Sequence, residues 1–488
     1  FSGAASLGGN ITAAVLNQEY QIATVVNDNS YTVEAKDTSG STVTASGSDS
    51  GNGGSSTVGA YQINTGNEIA VPCTGWSAGR WGSGTWGTGG STLAGMRLWS
   101  QSNFGEDLFF LRRGGAPFLW DATNGVTTRA VLVSSLAGAS QVPTIANVAF
   151  VSDIFRFAFC MGANPIGSAV QDPMLIRWSD QEDVAEWNPT SLTQAGSLSL
   201  SEGTEIVQAV QARQEILIWT DAALYGLQYL GAPVVWGAQL LGSNLTIASP
   251  NAAVYSNNIA YWMGTNKFYY YDGTVKTLPC DVRSYVFDDF NTTQYDQVVA
   301  GSNEEFDEIW WFYCSSSATQ NDRYVIYNYV ENVWYFGNLS RSAWLDSDLR
   351  DFPIAATFNN RLVNHETGVD DKETGVATAF TASITSTQFD LDDGDRFMLV
   401  NKMLPDVTFE GSTAASPAAV LTLNPLENSG SGRYDPASVG GNSNATVTRT
   451  ATAPIEEFTG QVFTRLRGRQ MSFKVESTAA GVTWKLGA

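Results

Sequence analysis

From residue 97 onward a two-strand pattern recurs along the chain. A short apolar run meets a polar turn, and a second run rich in Tyr or Trp follows, often closing on Asp or Asn. The copies pair 108–111 with 118–121, 155–159 with 175–178, 216–219 with 224–229, 259–262 with 268–272, and 309–313 with 324–328, with a weaker sixth at 354–358 and 361–364. Their starts fall about 45 to 60 residues apart, in or just above the range of propeller blades. Runs such as Ile309-Trp310-Trp311-Phe312-Tyr313 and Phe268-Tyr269-Tyr270-Tyr271 are apolar or aromatic at consecutive positions. Both faces of such a strand must be buried. A blade sandwiched between neighbouring blades meets that demand, whereas a two-layer sandwich calls for strict in/out alternation. The pattern predicts an all-β chain whose residues 97–372 form a β-propeller of about six blades, with one helix near 281–290 between blades.

After about residue 370 the periodicity changes. Phe380-Thr381-Ala382-Ser383-Ile384-Thr385, Ala419-Val420-Leu421-Thr422-Leu423 and Met471-Ser472-Phe473-Lys474-Val475-Glu476 alternate, which predicts a C-terminal antiparallel β-sandwich over 373–488. At the other end, 20–25 and 30–35 are alternating β-branched strands around Asn27-Asp28-Asn29, a hairpin signal. Residues 37–60 are almost entirely Ser, Thr, Gly, Asp and Asn and read as a linker or loop. The expected organisation is a small β-barrel-like domain with its linker over 1–60, a Trp/Gly-rich connector over 61–96, then propeller and sandwich.

Composition bounds the chemistry. Of 488 residues 15% are charged and 43% hydrophobic, with a net charge of −22. A surface this acidic is poorly suited to wrapping nucleic acid. His365 is the one histidine, which excludes zinc motifs built on two histidines and leaves a Ser-His-Asp triad a single possible base; at a strand end it reads as structural. Cys73, Cys160, Cys280 and Cys314 are scattered without a CxxC pair. There is no phosphate-binding glycine motif, and no apolar run of the roughly eighteen residues that a membrane helix needs. Glu304, Glu305, Asp307 and Glu308 read as a solvated loop rim rather than a glycosidase pair, because sequence neighbours do not flank a scissile bond. Asp390, Asp392, Asp393 and Asp395 around Gly394 depart from calcium-loop spacing and read as a turn. No catalytic residue, metal ligand, cofactor or small-molecule substrate is expected.

Two residue sets remain as candidates for contact. Arg112 and Arg113 adjoin, and Arg465, Arg467 and Arg469 alternate, which predicts that the latter three share one strand face. Such a face would meet phosphate or, in so acidic a chain, a neighbouring subunit's carboxylates. Trp76, Trp81 and Trp86 stand between glycines; they read as caps on a core or as an exposed platform for a glycan or a partner.

Phe1-Ser2-Gly3, Asn17-Gln18-Glu19-Tyr20-Gln21-Ile22 and Asn29-Ser30-Tyr31-Thr32-Val33 resemble the latter half of FCCH-like β-domains, and the upstream half is expected before Phe1. Residues 98–108, Ala300-Gly301-Ser302-Asn303 and Glu308-Ile309-Trp310-Trp311-Phe312-Tyr313 resemble tailed-phage virion proteins. The plan of a propeller followed by a C-terminal β-domain, with a basic strand (Arg465-Leu466-Arg467-Gly468-Arg469) and then an apolar one (Phe473-Lys474-Val475), is similar to the tail nozzle, packaged-DNA stabilisation or tail hub proteins of short-tailed bacteriophages. That resemblance implies a structural virion protein and no enzyme: a homo-hexameric ring below portal and adaptor that extends the DNA exit channel, retains packaged double-stranded DNA, guides its ejection and seats needle or tail fibres. It implies assembly in the host cytoplasm, a final place in the virion tail and no membrane insertion. The competing expectation is a glycan-binding or glycan-cleaving propeller with Trp76, Trp81 and Trp86 as its platform.

Overall fold

The computed structural model describes residues 1–20, 22–27, 30–59, 66–72, 93–126, 128–347, 349–392, 394–426 and 450–487. The protein is all-β. Among the described residues the α-helices are Ala13–Leu16 and Arg283–Asp288, the second where a helix between blades was expected. The chain divides into two compact units, 1–66 and 67–488.

In the first unit Ile22–Asn27 pairs antiparallel with Ser30–Val33, and Thr12 caps the short helix that buries Val15. This hairpin is the unit's one strand pair among the described residues, too little to close a barrel. Residues 37–59 do not run free as their composition suggests. Ser2 and Val58 exchange two backbone hydrogen bonds, and the Gly51 N–H donates to the Leu7 carbonyl. The Asp49 carboxylate accepts from the N–H groups of Asn10, Ile11 and Ser46. Backbone and Asx-type bonds hold a segment that has few apolar side chains to bury.

The second unit contains six consecutive antiparallel sheets: blade 1 over 99–132, blade 2 over 148–199, blade 3 over 206–243, blade 4 over 253–278, blade 5 over 299–338 and blade 6 over 343–364. The first five have four strands in simple meander order and the sixth has three. Their first strands stand side by side in chain order, as in a propeller. The Ala149 N–H donates to Ser100 Oγ between blades 1 and 2, the Ala300 N–H to the Asn251 carbonyl (2.7 Å) between blades 4 and 5, and Trp344 Nε1 to the Ser302 carbonyl (2.7 Å) between blades 5 and 6.

The recurring pair in the sequence is the two middle strands of each four-stranded blade, and the second and third strands of blade 6. Ile216–Thr220 is buried at every position, as is Ile309–Tyr313 apart from its leading Glu308, because blades cover both faces. An aromatic pair spans each successive seam: Phe109–Trp187, Phe159–Trp236, Trp219–Trp262, Phe268–Trp311 and Trp310–Trp344, with centroids 4.9–6.5 Å apart. Each such pair adds roughly 0.5–1.5 kcal/mol beyond its buried area. At the last seam a Cβ on Gly301 would strike the Trp344 indole, so only glycine lets the ring lie on that strand.

The described residues beyond 380 form the sandwich. One layer is the sheet Ala382–Thr385, Gln470–Ser477, Ala418–Leu426 and Ala451–Glu456; the other includes Met398–Met403 paired with Val462–Gly468. Leu423 and Met471 of the first layer meet Met398 and Leu466 of the second. No helix among the described residues is long and apolar enough to cross a membrane.

Candidate subunit interface

The strand Val462–Gly468 alternates in burial. Val462, Leu466 and Gly468 face the sandwich core, so Phe463, Arg465 and Arg467 face outward. Phe463 is 76% exposed and Leu399, the cross-strand partner of Arg467, is 61% exposed. Lys402 stands opposite Phe463. The Arg467 guanidinium lies over the Phe397 ring at 4.4 Å, a cation–π contact that holds it extended on the surface. Among the described residues neither Arg465 nor Arg467 makes an ion pair. The result is an apolar, cationic sheet face in a chain of net charge −22.

Arg469 does not belong to this face. The strand ends at Gly468, the Arg469 N–H turns to the Leu426 carbonyl (2.8 Å), and Arg469 Nε donates to the Gly394 carbonyl at 2.9 Å. The chain bends before the alternation reaches a third arginine. Gly394, read as part of a turn, has φ +70°.

Arg112 and Arg113 also separate. Arg112 is exposed at the end of the strand Asp107–Arg112. Arg113 is drawn across to blade 3: its guanidinium donates to Glu205 Oε2 (2.9 Å) and to the Val207 carbonyl (3.1 Å). The nearby Asp296 carboxyl is raised by burial, against the pull of Arg113. Arg113 is a half-buried tie between blades, with its charge already paired. Trp76, Trp81 and Trp86 lie outside the described residues, as does Cys73.

A second surface of note lies at the seam of blades 5 and 6. Residues 302–305, 346, 347, 349–351 and 353 line a cleft of about 660 Å³; among these described residues the carboxylates are Glu304, Glu305, Asp346 and Asp351 and the cation is Arg350. Asp346 Oδ2 accepts the Glu304 N–H at 2.9 Å. Phe306, Leu349 and Phe352 stand exposed on the same segments. Asn303, fully buried on the cleft wall, gives Nδ2 to Glu366 Oε1 (3.3 Å) while its Oδ1 has no partner. Glu304 and Glu305 are thus exposed, as a loop rim should be, but the rim is one side of a concavity. Spacing within 304–308 could not reveal it, because the other side comes from blade 6.

Glu308, by contrast, is half-buried at the start of the strand Glu308–Tyr313 and accepts Trp310 Nε1 at 3.0 Å. Burial pushes its carboxyl up to about 7, the Trp310 hydrogen bond opposes the shift, and the Glu366 carboxylate adds to it. The folded protein therefore holds a proton that the unfolded chain, with Glu near 4.5, releases. The stabilisation is complete below about pH 4.5 and is lost as pH rises through about 7. Urea unfolding at pH 5 and pH 8 is expected to show a lower midpoint at pH 8. Glu308→Gln should flatten that dependence by roughly 1–3 kcal/mol; an unchanged slope would show that Glu308 titrates normally.

His365 is structural, as its position suggested. Its Nε2 accepts from Arg341 Nε (2.9 Å), its ring packs on Trp344 (4.6 Å), and burial with the neighbouring Arg341 lowers its pKa to about 4. An imidazole so engaged stays neutral and its acceptor nitrogen is occupied. Among the described residues no three His, Cys, Asp or Glu side chains converge on a point that could hold a metal ion.

No family model and no curated protein matches the chain. Solved structures share β-rich segments with it at low similarity. The extracellular domain of a hybrid two-component system from B. thetaiotaomicron matches at 12% identity and TM-score 0.36, over 56% of this chain and 32% of that one. Hsv2 of Kluyvelomyces marxianus matches at 6% and 0.32, over 58% and 77%. The AfRom2 CNH domain matches at 11% and 0.32, over 55% and 84%. The chain spans about a third of the first of these proteins, and at such scores the likeness carries no functional information.

Proposed function

We propose that this chain is a structural virion protein, a subunit of a tail nozzle ring that extends the DNA exit channel of a short-tailed bacteriophage, retains the packaged genome and guides its ejection. The observation that carries the reading is the outward face of Val462–Gly468, where Phe463, Arg465 and Arg467 stand exposed without ion-pair partners. An apolar patch rimmed by arginine is the composition of a protein contact. In a chain this acidic, other copies supply carboxylates in excess. The resemblance of 300–303 and 308–313 to tailed-phage virion proteins, and of the basic-then-apolar C-terminal strands to nozzle proteins, supports the same reading. Its partners are then other copies of the chain, the tail adaptor, and needle or fibre proteins, with duplex DNA passing through the channel. A predominantly acidic wall would repel phosphate and let DNA slide.

The test is electron microscopy of intact particles labelled with antibody against this chain. Label between the capsid and the fibres, on a closed ring with a hole wide enough for duplex DNA, is the expected result. Particles that carry no copy of the chain would sink the proposal.

A further inference from the structure

We infer that the Phe463/Arg465/Arg467 face docks into the acidic cleft between blades 5 and 6 of a second copy of this chain. The inference rests on the reading of the chain as a ring subunit and names the joint between neighbours. Three observations match the two surfaces. The first is charge: Arg465, Arg467 and Lys402 on the face meet Glu304, Glu305, Asp346 and Asp351 around the cleft. The second is apolar content: Phe463 and Leu399 on one side, and on the other Leu349 in the cleft lining with Phe306 and Phe352 next to lining residues in the chain, are all exposed large side chains. The third is the unpartnered Oδ1 of buried Asn303 on the cleft wall. An unsatisfied buried acceptor is costly, and an inserted guanidinium supplies the donor it lacks. Arg350, the cleft's own cation, leaves the cleft net acidic.

The match also explains why the occupant is a copy rather than DNA. Duplex DNA offers phosphate to the arginines but nothing to Phe463 and Leu399, whereas the cleft offers both carboxylates and apolar side chains. The two surfaces lie on different parts of one chain and each subunit carries both, so copies can join head to tail, a contact that makes a ring when the rotation between neighbours closes.

The test uses the full chain and two double variants. Arg465→Glu with Arg467→Glu reverses the face, and Glu304→Lys with Glu305→Lys reverses the cleft; all four residues are exposed, so circular dichroism and melting should be unchanged. Sedimentation across a concentration series is expected to show a multimer for the native chain and a monomer for each variant alone. The dissociation constant should rise at least about 100-fold, since like charges then face each other. An equimolar mixture of the two variants should reassemble, because every joint again pairs opposite charges. A native chain that stays monomeric overturns the inference, as does a multimer indifferent to both variants or a mixture that fails to reassemble. Tight duplex-DNA binding that Arg465→Glu with Arg467→Glu abolishes while the multimer persists overturns it in favour of phosphate. A multimer indifferent to both variants leaves the ring reading standing on some other contact, whereas particles lacking the chain remove the ring reading whatever the joint does.

Discussion

Trp311→Ala is expected to cost the propeller about 3–5 kcal/mol, the range for emptying a fully buried indole site. Trp311 is completely buried at the seam between blades 4 and 5. Its ring packs on Phe268 at 4.9 Å and stacks on Trp334 at 6.1 Å, and its Nε1 donates to the Ala252 carbonyl at 3.1 Å. Phe268 belongs to blade 4, Ala252 leads into it, and Trp311 belongs to blade 5. One side chain therefore couples two blades by packing and by a hydrogen bond. Trp311→Phe keeps most of the packing and loses the bond, and should cost about 1–2 kcal/mol. Equilibrium urea unfolding measures both. A loss for Trp311→Ala no larger than for Trp99→Ala, a partly exposed tryptophan of blade 1, would show that the seams do not hold the blades together.

What was legible in the sequence follows from the same burial. Middle strands such as Ile309–Tyr313 are covered on both faces, so their apolar runs stand out. First strands such as Trp99–Phe104 (Trp-Ser-Gln-Ser-Asn-Phe) and Val299–Asn303 (Val-Ala-Gly-Ser-Asn) are half polar, and outer strands such as Gly196–Ser199 and Val275–Leu278 are partly solvated. They carry no pattern that distinguishes them from turns, so in each blade two strands stand out and the rest do not. On the strand Val462–Gly468, alternation correctly placed Arg465 and Arg467 on one exposed face. It misplaced Arg469, because where a strand ends is decided by tertiary partners, here the carbonyls of Leu426 and Gly394. Adjacency with Arg112 does not reveal the role of Arg113 for a related reason: the carboxylate that claims it, Glu205, is 92 residues away. The acidic cleft escaped notice because Glu304 and Asp346 are 42 residues apart and meet only when blade 6 docks on blade 5.

Arg177 gives the second large effect, and it separates two kinds of arginine in this chain. It lies in the strand Leu175–Trp178, buried at every position, and its guanidinium donates to the carbonyls of Gln141, Asn164 (3.2 Å) and Trp187 (3.4 Å). No carboxylate pairs with it among the described residues, and burial lowers its pKa. The cation is held by three loop carbonyls that converge beneath blade 2. Arg177→Ala opens a cavity and strands those carbonyls, at an expected cost of about 3–5 kcal/mol. Arg177→Met restores volume but no donors and should recover about half of that loss; Arg177→Lys places a single ammonium where a planar fork spans several acceptors, and should do no better. Full stability in Arg177→Met would show that packing, and not the carbonyl clamp, is what the residue supplies. The contrast with Arg465 and Arg467 lies in which measurement moves. Arg177 variants should lower the unfolding midpoint and leave the salt dependence of self-association as it was. Reversing Arg465 and Arg467 should leave unfolding alone and, under the proposed joint, abolish that salt dependence, because among the described residues their charges have no ion-pair partner within the chain.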